Sequence, residues 1–409
     1  MSGLLFSKNR SIVTSMRWDN LRLDDDLAAD RDAGGESLFP AARRDVALPL
    51  IERGAVARTF DTPGFRGMTF YEVQAKSVVN RVPEASRMPF RWTINPYRGC
   101  QHSCVYCYAR QSHSYLELDT GADFDTKVVV KVNAPELVRK KMASPTWPGE
   151  HIAMGTNVDC YQRAEGRYRL MPGIIAALKD AANPFSILTK GTLILRDMDL
   201  LAEAAEVTDV GLNVSVGFVD KELWRSVEPG TPAPARRLEA CATLNERGLR
   251  CGVLMGPVVP FLSDSPAQLD AAVSQIAAAG ATHVTPIVLH LRPGTREWFF
   301  RWLGACHPGL VGRYLDLYGR SAYAPKSYQA RIAGQVRELA EKHGIGRPKP
   351  GSGHGRRTAP RPPAPREAPA TLALPRPPGV LPPSSVSRPS APPGPAALSP
   401  APSEQLTLL

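Results

Sequence analysis

Six apolar runs separated by amphipathic segments constrain this chain more than any other feature. The runs lie at 90–95, 151–157, 184–189, 209–216, 250–259 and 282–291. Helical periodicity occupies 172–182, 197–207, 233–247, 265–279 and 325–343. Asp264 and Ser265 ahead of Pro266 predict a helix start with proline in the first turn. Gly248 and Gly280 stand where helices are expected to end. Strands that are continuously apolar are buried on both faces, which requires a parallel sheet covered by helices. The expectation is an α/β fold: a partial (β/α)6 TIM-like barrel, since about six units are too few for the closed eightfold form. One more β-like run, 128–132, reads either as an inserted edge strand or as part of the first helical connection.

The flanks differ in composition. Residues 346–409 hold 18 of the 39 prolines and no Phe, Trp or Tyr. Such a segment buries too little apolar surface to offset its ordering entropy, so disorder is expected there. Residues 1–59 mix arginine with the run Asp24-Asp25-Asp26 and a Gly34-Gly35 pair, and form an N-terminal extension with no assignable fold. The core is therefore 60–345. The tail has eight Lys/Arg against two Asp/Glu, or +6 of the +11 net charge. The other 345 residues carry 42 minus 37, or +5, so the basic balance alone does not define a nucleic-acid face. No window approaches the roughly 18 apolar residues of a membrane-spanning helix. The first ten residues lack the pattern of a secretory leader, and a cytoplasmic protein with no membrane partner is expected.

Three of the seven cysteines crowd into Cys100-Gln-His-Ser-Cys104-Val-Tyr-Cys107. That is not a disulfide framework but a metal site in a reduced compartment. Thiolates select iron–sulfur clusters, zinc or copper(I). A four-iron cluster normally takes one cysteine per iron, so three cysteines leave one iron open to a substrate or cosubstrate. The competing reading is a structural zinc with Cys3His ligation, using His102 or His113.

The spacing Cys-x3-Cys-x-aromatic-Cys after the first strand of an alternating chain resembles the radical S-adenosylmethionine (SAM) superfamily. Asn95-Pro-Tyr-Arg-Gly-Cys100 and Cys107-Tyr-Ala-Arg110 narrow the resemblance to the subfamily similar to spore photoproduct lyase, over about residues 60–345. The resemblance implies that Cys100, Cys104 and Cys107 hold a [4Fe-4S] cluster. It implies that the open iron chelates SAM, and that one electron, from a donor such as flavodoxin or ferredoxin, yields a 5′-deoxyadenosyl radical. The cofactor carries that chemistry and the protein positions and shields it. Tyr106 would pack near the cluster and the adenine.

Barrel enzymes place their sites at the C-terminal ends of strands, so each strand exit is a candidate. After the second strand, Thr156-Asn-Val-Asp159-Cys-Tyr-Gln-Arg-Ala-Glu165 resembles the subfamily's Thr-x-x-Asp-x-Tyr-Gln-x-x-Glu form. Thr156 and Asp159 are the candidates for the SAM amino end; Tyr161, Gln162 and Glu165 would fix the loop. Asp159 also reads as an Asx-type cap. Thr189-Lys190 ends the third strand and resembles a Thr-Lys of the subfamily; an ammonium there needs a partner such as the SAM carboxylate, unless it snorkels to solvent. Asn213 and Ser215 share a face of the fourth strand and lie near SAM by the same resemblance. Glu228-Pro-Gly-Thr-Pro-Ala-Pro-Ala-Arg236-Arg237-Leu resembles the subfamily's Glu-Pro-x-Thr-Pro…Arg-Leu segment, in which one arginine would reach a carboxylate or phosphate and the other face solvent. Arg236 is the cofactor-side candidate. On the fifth strand, Met255-Gly256-Pro257-Val258 sets backbone against the adenine. His290 and Arg292 are substrate-side candidates. The lyase's hydrogen-donating cysteine would fall near Thr156, where this chain has none; Cys160 is the alternative donor, or else a buried small hydrophobe.

The chain ends Gln405-Leu406-Thr407-Leu408-Leu409 after a proline-rich linker. Gln405, Leu406, Leu408 and Leu409 resemble the motif that docks bacterial repair and replication proteins on the DNA sliding clamp; the alternative is an idle apolar end. These resemblances favour a nucleic-acid substrate and a lyase or repair reaction. The rivals are a radical SAM enzyme of peptides or small metabolites, and a non-enzymatic iron–sulfur or zinc protein.

Overall fold

The computed structural model describes Leu50, residues 54–83, Ser86 and residues 88–346. The strands are β1 Val56–Arg58, β2 Thr69–Val73, β3 Val79–Arg81, β4 Trp92–Ile94, β5 Tyr97–Arg98, β6 Lys127–Lys131, β7 Ile152–Met154, β8 Phe185–Thr189, β9 Val210–Ser215, β10 Cys251–Val258 and β11 Val284–Val288. They form two sheets. In the larger, β4, β7, β8, β9, β10 and β11 lie side by side in chain order, each parallel to the next. Each of the six apolar runs contains one of these strands. β3 pairs antiparallel with β4 and closes that edge, while β11 forms the other. The arrangement is an open (β/α)6 barrel, as the alternation requires.

The helices follow the same logic. Leu170–Asp180, Met198–Val207, Pro234–Glu246, Pro266–Ala278 and Lys326–Lys342 occupy the periodic segments. Ser265 and Gln268 complete a reciprocal capping box ahead of Pro266. Gly248 and Gly280 sit at φ +86° and +69°, the left-handed positions that end their helices. Helices Ala134–Met142, Lys221–Val227, Thr295–Cys306 and Val311–Tyr318 escape the periodicity. In Thr295–Cys306 the run Trp298-Phe299-Phe300-Arg301-Trp302 carries aromatics around much of the helix, which blurs the polar face. None of the described helices is long and apolar enough to cross a membrane.

Run 128–132 lies in the first connection, between β4 and β7, and forms an interior strand there rather than an edge strand. β6 lies inside a second, four-stranded sheet of order β1-β2-β6-β5, parallel to β2 and antiparallel to β5. Two of its strands, β5 and β6, lie in the connection between β4 and β7, and the other two, β1 and β2, precede β4. Val128 and Val130 face the main core, and Val129 faces a smaller cluster with Leu50, Tyr71, Leu116 and Leu118. Residues 1–49 and 347–409, including 405–409, lie outside the described residues.

Candidate active site

β5 feeds directly into the cysteine loop. Gly99 turns at φ +85°, and a β-carbon there would meet the Lys127 carbonyl at 2.6 Å, so glycine is required. Gln162 grips the loop on both sides of Cys100. Its Nε2 donates to the Gly99 carbonyl at 3.0 Å, and its Oε1 accepts from the Gln101 amide at 3.1 Å. Arg110, fully buried, donates to the Cys104 carbonyl at 3.2 and 3.0 Å and pairs with Asp125 at 2.8 Å. Thr295 Oγ1 donates to the Cys107 carbonyl at 3.1 Å. Gly230 docks from the far side, its amide donating to the His102 carbonyl at 3.1 Å. Main-chain groups are held on every flank, which fixes where the three sulfurs stand.

Cys100 and Cys104 are buried and Cys107 nearly so. Burial pushes all three thiols up. Asp159 and the other two cysteines add to it at Cys100, Glu228 adds to it at Cys104, and Arg110 opposes it at Cys107. Thiols that raise one another are relieved by a cationic centre, because ligation takes the thiolate and releases the proton. Among the described residues no three His, Cys, Asp or Glu side chains converge on one ion. A four-iron cluster asks instead for one thiolate on each of three irons, and this loop supplies that donor set. Of the histidines considered for zinc, His113 puts Nε2 2.9 Å from the Lys127 carbonyl and packs on Phe124. Burial pushes it down to about 4, as expected of a neutral core histidine. His102 sets Nδ1 3.3 Å from Asp159.

The strand ends converge on one polar network. Asp159 accepts from the Tyr161 amide at 2.9 Å, Thr189 Oγ1 at 2.6 Å and the Lys190 amide at 2.6 Å. Although burial raises its carboxyl, His102 and these donors outweigh that and hold it at about 2. Lys190 Nζ donates to Ser215 Oγ at 2.6 Å and lies 3.9 Å from Glu228 and 5.8 Å from the Tyr106 ring. Ser215 Oγ passes the chain on to the Gly256 carbonyl at 2.9 Å. Glu228, fully buried, accepts from Tyr106 Oη and from Arg237 Nη2. Burial would raise its carboxyl, but Arg237 and Lys190 overcome it and keep the group below its usual range. Arg237 also donates to the Ser215 and Pro232 carbonyls, at 2.8 Å each.

The family profile of the radical SAM superfamily matches residues 94–270, from the last residue of β4 into the helix Pro266–Ala278. An uncharacterized protein of Mycobacterium tuberculosis is 50% identical over 309 residues, covering 75% of this chain and 91% of its own length. The chain belongs to the radical SAM superfamily. An uncharacterized protein of Methanocaldococcus jannaschii is 32% identical over 195 residues, 47% of this chain and 69% of that one. Among solved structures, spore photoproduct lyase complexed with dinucleoside spore photoproduct superposes with a TM-score of 0.52 at 13% identity, over 68% of this chain and 80% of that chain. At that identity the likeness is one of fold. Proteins of the radical SAM superfamily use a [4Fe-4S] cluster and SAM. When bound, these supply radical initiation; Cys100, Cys104 and Cys107 of this radical SAM protein would hold the cluster.

Several sequence candidates are brought together: Tyr106, Asp159, Lys190 and Ser215 all belong to the network. Asp159 meets it through protein donors on both of its oxygens, so it ties the β7 exit to the β8 exit. Thr156 is half-buried just beyond Gly155, whose φ of +77° and 1.7 Å clearance to the Leu188 carbonyl admit no side chain. Asn213 lies half-buried in register with Leu188 and Gly252, and Val258 is fully buried at the end of β10. Arg292 Nη2 donates to Tyr323 Oη at 3.2 Å and its guanidinium stands 5.5 Å from the Tyr108 ring, with His290 against Tyr323.

One expectation is corrected. Arg236 is 61% exposed and pairs with Glu239 on its own helix, whereas Arg237 points inward. Helical neighbours point about 100° apart, and it is the buried Glu228 that decides which of the two turns in. Cys160 is fully buried just beyond the end of β7, in the same core cluster as Cys100 and next to Asp159. Sequence reasoning missed Glu228 as the hub of the network. Its signal was the subfamily-like Glu-Pro-x-Thr-Pro turn that it opens, nine residues before Arg237.

Proposed function

We propose that this radical SAM enzyme acts on nucleic acid, in a reaction of the lyase or repair class. The observation that carries the reading is convergence. The segments resembling the lyase-like subfamily, at Asp159, Thr189-Lys190, Ser215 and Glu228 to Arg237, meet in one network beside the cysteine loop. The likeness in fold to spore photoproduct lyase supports it, and that enzyme was solved with a dinucleoside photoproduct. A one-electron donor such as flavodoxin or ferredoxin belongs to the same proposal, as does sliding-clamp docking through the terminal pentapeptide.

Anaerobic reconstitution with iron and sulfide, reduction, and chromatography for 5′-deoxyadenosine test the chemistry. Wild type is expected to form it, more so with damaged DNA, and Cys104→Ala to form none. Formation that responds to peptides and ignores nucleic acid would move the enzyme to the peptide-modifying rival. For the clamp, capture of the sliding clamp should be lost on deletion of residues 405–409; capture that survives the deletion removes that partner.

A further inference from the structure

The second sheet brings together two cations that the network above does not use. In the β5–β6 pair, Arg98 stands opposite Val129. Lys131 is two residues beyond Val129, and residues two apart on a strand share a face, so Arg98 and Lys131 are diagonal neighbours on one face. Lys131 is 5% exposed and Arg98 is half-buried. A third cation on this face, Lys127, is paired with Asp123 at 3.0 Å. Among the described residues, neither Arg98 nor Lys131 has a hydrogen-bonded or ion-paired side chain. Burial, then the charge of Arg98, pushes the Lys131 ammonium down to about 8.

Buried like charges facing each other weaken a sheet, and a pair that no carboxylate among the described residues meets leaves room for an anion from outside. A guanidinium fork beside a compact ammonium is the donor set that suits a phosphate. The phenol beside Arg98 is that of Tyr115, whose ring is 60% exposed and offers a face on which a base can stack. Arg98 precedes Cys100 by two residues, a span of at most about 7 Å of chain.

We propose that Arg98 and Lys131 form a phosphate-binding site. It rests on the nucleic-acid reading only for the source of the phosphate, which there is the backbone of the strand presented to the cysteine loop. The test uses the reconstituted full-length protein, with Lys131→Met and Lys131→Arg. Inorganic phosphate at fixed ionic strength is the first probe, read by thermal unfolding. A labelled single-stranded oligonucleotide titrated across potassium chloride is the second, read by anisotropy.

Phosphate should raise the Tm of wild type and of Lys131→Arg but not of Lys131→Met. Oligonucleotide affinity should fall several-fold in Lys131→Met, with the logarithmic salt slope smaller by about 0.7, one phosphate contact on a single strand. A lost phosphate response in a protein that binds no oligonucleotide keeps the site, assigns it to free phosphate, and defeats the nucleic-acid reading. A Lys131→Met protein of normal iron content that keeps both the phosphate response and the full salt slope overturns the proposal.

Discussion

The molecule holds two groups of buried charge built on opposite rules. Around Glu228, charges are matched: Arg237 pairs with it, Lys190 approaches it, and Tyr106 donates to it. Around Lys131, among the described residues, none is matched: Arg98 is a like charge, and Lys127 on the same face is paired with Asp123. The Glu228 group behaves as a closed unit that holds the strand ends in place. It joins the Glu228–Arg237 segment to β8 through Lys190, to β9 through Ser215 and to the cysteine loop through Tyr106. The Lys131 group carries a standing electrostatic cost, and such costs are kept where a ligand has to be met.

The largest effect should come from breaking the closed unit. Arg237→Met leaves Glu228 buried beside Lys190 without its main counterion. Removing one partner of a buried pair typically costs about 3–5 kcal/mol. Denaturant unfolding should show that loss, and the double variant Glu228→Gln with Arg237→Met should recover part of it, since contacting residues are not additive. A loss below about 1 kcal/mol would mean that the network is not the closed unit described.

The opposite sign is expected at Lys131. Lys131→Met should unfold at higher temperature than wild type in buffer without phosphate, because a desolvated ammonium is removed. The advantage should depend on pH. The Lys131 pKa falls from 10.5 to about 8 on folding, so between those values the unfolded chain holds a proton that the folded protein has released. Wild-type stability therefore rises relative to the variant across that window, and the full deficit persists below about 8. Unfolding at about pH 7 and about pH 9.5 should show the gap narrowing; a constant gap would place the lysine in water.

Arg236→Ala calibrates the comparison. Its pair with Glu239 is exposed on both sides, and such pairs contribute about 0–1 kcal/mol. A thermal shift comparable to that of Arg237→Met would contradict the inward and outward assignment of the two arginines.

Much of the barrel was legible because each of its strands is a buried apolar run, and such runs carry their own signal. The second sheet was not. β5 has only two residues, and β6 pairs with β2 from nearly 60 positions away, so neither contact leaves a periodic trace. Gln162 and Glu165 read correctly as loop-fixing residues. Gln162 brackets Cys100, and Glu165 accepts from Tyr97, Arg196 and the Leu170 and Met171 amides. The roles of Glu228, Arg237 and Arg110 stayed hidden because their partners lie on other elements.

Sequence alone determined the alternation that makes six parallel strands, the helix start at Ser265 and stops at Gly248 and Gly280, and the three-cysteine donor set. Each is written in local spacing and composition, where apolar period, capping chemistry and thiol clustering act over a few residues. Only the tertiary structure decided how charges meet. Whether an arginine turns toward Glu228 depends on the phase of a helix against a distant turn, and whether Lys131 shares a face with Arg98 depends on a strand register. Coulomb energy falls off with distance through space and takes no account of separation along the chain.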